Sequence, residues 1–397
     1  MIESSMRPDR VFLDRRAIVS IGGTFLLMGL VVGAYGPLLE HLTRRFAVSL
    51  PVAGATISVH FAGALVGVLV AMRAMQKTPA RSTVIVATAL AGLGCLAVSV
   101  APTWPAFLGA VFLLGLGFGA LVIAQNQLVA YSEGRRRAAL LSALNSAYSA
   151  GAVGGPIVVA AYAAGHFTLL FLGGAAVALV LIPGHARISG RLPVATGSPG
   201  RPGLLVLIFV CAFALYVGIE TGTGGWMTSH LESVGLASAQ AATLTSGFFL
   251  ALVTGRVLMT LMPAAIPDGA VVIAGSAVAT LSLLAASIGA LAPWAYIVTG
   301  LAIAPIFPTG IVWLAKLRPG DSRATSWLFP AVSIGGIAGP GAIGLVIAGF
   351  GVRWAPAVLA TVAVGMSTAF WLANRASSNP GQSGLSERGK PNRVARR

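Results

Sequence analysis

The sequence predicts an all-α membrane protein in which twelve transmembrane helices form two pseudo-symmetric six-helix bundles. Three observations carry that expectation. Hydrophobic residues make up 56% of the 397 and charged residues only 9%, with a mean hydropathy of +0.88, more apolar surface than a chain of this length can hide in a water-soluble core. The apolar residues fall into continuous runs without alternation, and a motif from the first half returns in the second.

A hydrocarbon core of about 30 Å is crossed by roughly 20 helical residues. Runs of that length cover 17–39, 51–75, 82–101, 103–130, 138–164, 167–186, 203–231, 238–262, 269–290, 293–315, 323–348 and 354–374. In lipid every backbone polar group must be satisfied internally, so continuous runs read as helices and not as barrel strands.

The basic residues orient the bundle. With odd-to-even connections on one side, all but Arg44, Arg45 and Arg353 of the 26 lysines and arginines fall on the other. Basic residues in short loops stay inside, which puts both termini in the cytoplasm of a multi-pass cell-membrane protein. A net charge of +16 spread over every inner loop leaves no folded basic surface for nucleic acid, and it reads as topology plus attraction to anionic headgroups. Cys95 and Cys211 lie in different apolar runs without metal spacing and read as small hydrophobes.

Internal repetition divides the chain. Ser149, Gly151, Gly155 and Pro156 of "SAGAVGGP" return as Ser333, Gly335, Gly339 and Pro340 of "SIGGIAGP", each in the fifth helix of a six-helix half. The expected organisation is an arm over 1–16, bundles over 17–186 and 203–375, a cytoplasmic linker over 187–202 rich in Pro, Gly and Arg, and a polar, disordered basic tail over 376–397.

Over residues 17–375 the chain resembles the major facilitator superfamily. More narrowly, "YVGIETGTGGW" in the seventh span, "APIFPTG" in the tenth, and "GLGFGALVIAQNQLVA" running into "RRRAALLSALNSAYSAGAVGGP" are similar to the fucose-permease-like branch. The pattern departs twice. The acid of the family's loop between the second and third helices is missing from "GVLVAMRAMQKTPAR", where Ala71 or its neighbours stand, and the branch's acid in the fourth helix is replaced by Val122 and Ile123. The resemblance therefore does not extend to the usual cytoplasmic gating network or to proton coupling through the N-terminal half. It implies alternating access by a single chain, a small-molecule substrate, and sugar uptake, with drug or metabolite efflux as the rival. A receptor or scaffold would more naturally carry a soluble domain.

Among ten acids only Glu220 lies deep in a span, and Arg73 and Arg256 sit near helix ends. A carboxylate in hydrocarbon is costly, so such a group faces a cavity and works there. With no cation at its depth, the remedy is a proton, taken up and released as the cavity alternates, which makes Glu220 the expected coupling residue. Sodium, a cationic substrate, or a permanently protonated structural Glu are the alternatives. Helical spacing puts Tyr216, Glu220, Thr223 and Met227 on one face, assigned to the cavity. Gly222, Gly224 and Gly225 lower helix propensity, so the helix either bends there as a gate or packs closely through small residues.

Further candidates are weaker. Trp226 stacks on substrate or anchors the interface, the resemblance favouring the cavity. Gln125, Asn126 and Asn145 bind a hydroxylated substrate or tie helices together. Tyr35 and Tyr148 supply hydroxyls, and His60 is either a proton relay or a satisfied core histidine. Pro305 and Pro308 should kink the tenth span as a hinge. No nucleophile with base, metal cluster or phosphate loop is present in the sequence, so the expectation is a monomeric transporter without a cofactor, and not an enzyme.

Overall fold

The structure is a computed structural model that describes residues 11–130, 132, 137–190, 202–259, 266–318, 324 and 327–378. Most of the expected arm, linker and tail, and the loop arginines Arg135 and Arg136, lie outside the described residues. Twelve α-helices occur among those described: α1 Arg15–Phe46, α2 Leu50–Lys77, α3 Ala80–Val100, α4 Trp104–Ala130, α5 Arg137–His185, α6 Leu204–Ser233, α7 Ser238–Met259, α8 Asp268–Ala286, α9 Ala292–Ile303, α10 Ile306–Leu317, α11 Leu328–Phe350 and α12 Ala355–Ser378. Eleven segments among the described residues are long and apolar enough to cross a membrane.

The helix count and the span count differ for local reasons. Helix α5 contains two limbs that meet at His166, whose φ of −134° and ψ of 30° leave the helical region. The limbs run in opposite directions. Gly151 and Gly155 of the first pack on Leu26, Leu30 and Ala34 of α1 in ascending order, whereas in the second Phe167 stacks on His41 and Gly184 meets Ser20. Helices α9 and α10 together form one span, Ala292–Leu317, interrupted where Ala304 and Pro305 intervene. Proline has no N–H to continue the ladder.

The chain begins α1 on the same face that ends α4 and α5, because Val11 pairs with Ser132 and Phe12 with Ser189. We call this the terminal end, and the opposite one the distal end. Asp14 caps α1 by accepting from the Ala17 N–H at 2.7 Å, satisfying one of its orphan donors. In the second half, Lys316 pairs with Asp268 at 2.6 Å, tying the terminal end of α10 to that of α8.

The sequence repeat has a packing counterpart. Gly151 and Gly155 let α5 approach the α1 backbone, and Gly335 and Gly339 let α11 approach α6 at Ala214 and Gly218. In each case an added Cβ would strike backbone. Small residues at these crossings serve the helix–helix packing that stands in for hydrophobic exclusion inside lipid. The same relation in both halves gives the molecule its pseudo-twofold character.

The halves meet along α2 with α11, α5 with α7, and α1 with α6. Many of their close contacts are distal. Gly36 of α1 faces the backbone of Gly224 in α6, each glycine roughly 30 Å from the start of its helix at about 1.5 Å per residue. Ser58 Oγ donates to the Ile337 carbonyl at 2.8 Å, and Trp226 Nε1 donates to the Pro340 carbonyl at 3.0 Å.

Candidate functional site

Glu220 stands about 24 Å from the start of α6 and about 20 Å from its end. Its Oε1 lies 3.7 Å from Nη2 of Arg256 in α7, and the same nitrogen donates to the Tyr216 hydroxyl at 3.4 Å. The expectation that no fixed cation shares Glu220's depth is therefore corrected. The Arg256 backbone sits roughly 7 Å nearer the terminal end than Glu220, and its long stem carries the guanidinium up that distance. Counting depth by backbone position alone missed the pair.

The pair is loose. A direct charge-assisted bond is about 2.7–2.9 Å, and neither contact reaches it. The side chains keep 31% exposure at Arg256 and 20% at Glu220. A charged pair at that depth in a span is held facing a cavity and not lipid. Asn145 on α5 is exposed and Asn126 on α4 half-buried.

Distal to the pair a cavity of about 30 Å³ is bounded by Tyr35 from α1, Phe61 from α2, Tyr148 from α5, Glu220 and Thr221 from α6, and Phe249 from α7. It is large enough for one or two waters. Three of the expected polar site residues, Tyr35, Tyr148 and Glu220, converge here, and Tyr216 joins them through Arg256. Arg256, Phe61 and Phe249 were missed, the aromatics because an apolar ring on an apolar helix carries no signal of its own.

The α6 face differs from the one expected. Glu220 shares the cavity with Thr221, Gly224 and Gly225, whereas Thr223 and Met227 are fully buried; Thr223 Oγ1 has no hydrogen-bond partner among the described residues. Nor does α6 break at its glycines, for it is continuous over Leu204–Ser233. The glycines provide close approach: Gly224 to Gly36, Gly225 to Ile57, and Gly222 to Ile343 and Leu359. Of the two readings, close packing is the one the glycine contacts describe.

Trp226 is corrected as well. It is 0% exposed, and its indole fills the space above Gly54 of α2 and Gly344 of α11, a wedge in the distal seam and not a platform facing the opening. Gln125 is fully buried and donates from Nε2 to Thr24 Oγ1 at 2.6 Å, two helical turns along α1 from the cavity, so it ties α4 to α1. Asn126 donates to the Val122 carbonyl of its own helix at 2.7 Å. His60 lies behind the cavity with Nδ1 2.8 Å from the Tyr35 hydroxyl, its ring edge-on to Phe61 and Phe118. Pro305 caps α10 with Pro308 inside its first turn.

Two six-helix halves related by the repeat, with a polar pair of the second half facing the first, make up the architecture. The family model described as Major Facilitator Superfamily matches residues 21–203, and solved structures extend the likeness across both halves. A bacterial homologue of the human lysosomal transporter Spinster, inward-facing and occupied, has a TM-score of 0.73 at 15% identity, covering 90% of this chain and 96% of its own. The nucleoside transporter NupG gives 0.71 at 14%, covering 90% and 99%. A D-xylose–proton symporter gives 0.71 at 15%, covering 90% and 96%. No curated protein matches by sequence.

Proposed function

We propose that the protein is a secondary active transporter that moves a small organic solute across the cell membrane by alternating access, driven by protons exchanged at Glu220. The charge distribution supports a cytoplasmic terminal end and an outer distal end. On that assignment the distal seam is the closed outer gate, and Arg256 and Glu220 are reached from inside. The single observation that carries the reading is the loose Glu220–Arg256 pair, 3.7 Å apart, at the seam of the two halves.

The physics of coupling follows from the pair. Two unit charges about 4 Å apart attract by roughly 4 kcal/mol at an effective dielectric near 20, and desolvation removes part of that. A proton on Glu220 abolishes the attraction. A change of a few kcal/mol shifts a two-state equilibrium by about a hundredfold or more, so protonation, by releasing Arg256 from Glu220, is large enough in effect to re-weight the two states of the carrier. Tyr216 and Tyr148, uncharged near neutral pH, keep hydroxyls beside the pair in either state. The chain works as a monomer, each half moving on the other.

Glu220→Gln fixes the neutral form. In proteoliposomes with an imposed pH gradient it should retain solute exchange and lose gradient-driven accumulation. Accumulation equal to wild type would move the proton to another group.

A further inference from the structure

Transport by this site leaves most of the guanidinium unused. Glu220 Oε1 and Tyr216 Oη are both reached from one nitrogen of Arg256, Nη2, and no hydrogen bond from Nε or Nη1 is found among the described residues. Arginine presents five N–H donors in a planar fork that matches a carboxylate two-pronged. The side chain is 31% exposed, and the small cavity distal to it has Tyr35, Phe61, Tyr148 and Phe249 among its walls.

We propose that the cargo is an organic monoanion, one carboxylate on an apolar or aromatic body, carried together with one proton. The carboxylate takes the free edge of Arg256 and the proton takes Glu220. This rests on the transport function proposed above and names its substrate class.

Charge balance at the site carries the argument. Empty, Arg256⁺ and Glu220⁻ sum to zero. With anion and proton both bound, the guanidinium faces the cargo carboxylate and Glu220 is neutral, again zero. The anion alone leaves a net charge of −1 and the proton alone +1, and each puts an uncompensated charge into a low-dielectric seam. Only the empty and the doubly loaded carrier pass through the closed state, which is what tight coupling requires. The proton comes from water as an O–H bond forms on Glu220 and returns to water when that bond breaks; the cargo undergoes no covalent change. A neutral sugar could not replace the carboxylate as counter-charge to Arg256.

The other titratable groups facing Glu220 do not change this count. They are Tyr216 on its own helix, Tyr148 on α5 and Tyr35 on α1, with His60 of α2 hydrogen-bonded behind Tyr35. The hydroxyls are neutral around pH 7, and Arg256 keeps its charge throughout.

The test is binding of benzoate to the purified full-length protein in weak buffer, with benzamide as the uncharged isostere. Benzoate should bind, benzamide should not, and one proton should be taken up per benzoate. Affinity should fall about tenfold per pH unit wherever one proton is taken up with the anion. Glu220→Gln should bind benzoate independently of pH and without proton uptake, and Arg256→Lys should weaken binding by about tenfold or more. Equal binding of benzoate and benzamide, or no proton uptake by wild type, overturns the proposal. Accumulation of D-xylose in a pH gradient without benzoate binding overturns the anion and leaves the transport function standing; no flux of either solute overturns both.

Discussion

At the scale of single residues, Arg256 and Glu220 are intelligible only together. Removing one partner of a buried ion pair strands the other, a loss of about 3–5 kcal/mol where water is fully excluded. Here both side chains keep partial exposure, so the loss should be smaller. Arg256→Met should cost about 1–3 kcal/mol, read as a lower Tm in nanodiscs, and adding Glu220→Gln should recover most of it. A double variant no more stable than Arg256→Met would mean that Glu220 is already neutral in the resting protein. Trp226 teaches the complementary lesson. An aromatic six residues from a deep acid invites a role in binding, but its N–H is spent on the Pro340 carbonyl and its ring on filling the seam.

At the scale of elements, glycine is the recurrent device, and its use here is close approach. The pairs α1 with α5 and α6 with α11 depend on backbone surfaces that no side chain interrupts. Gly335→Val would drive a branched side chain into the Ala214 carbonyl region of α6, and overpacking of this kind costs about 1–3 kcal/mol. Thermal denaturation should show that loss, while Gly349→Val, at a glycine with open space around it, should leave Tm nearly unchanged. Equal Tm shifts for the two would remove the packing role assigned to Gly335. The tenth span shows the contrary case, since Pro305 does interrupt it, splitting α9 from α10.

At the scale of the molecule, the halves are latched distally. Gly341 and Ser58 face each other across the latch: a Cβ at 341 would stand 3.9 Å from that of Ser58, within the Cβ–Cβ range of a disulfide. Ser58→Cys with Gly341→Cys, in a chain whose Cys95 and Cys211 are replaced by Ala and Ser, should crosslink on oxidation and stop solute counterflow. Reductant should restore it. Full counterflow by the crosslinked protein would show that the seam need not open for transport.

The sequence by itself determined the solvent, the all-helical spans, the twofold repeat and the depth of Glu220 within its span. Each of these depends on quantities local to the chain: the length of an apolar run, the type of residue within it, the recurrence of a short motif. Tertiary structure alone decided who meets whom. That Arg256 climbs to Glu220, that Trp226 wedges the seam and that Gln125 turns inward to Thr24 depend on helix rotation, side-chain reach and the crossing of helices far apart in sequence. A helix buried on nearly every side presents no amphipathic stripe from which its rotation could be read, so periodicity could place Glu220 at the right depth without finding its neighbours.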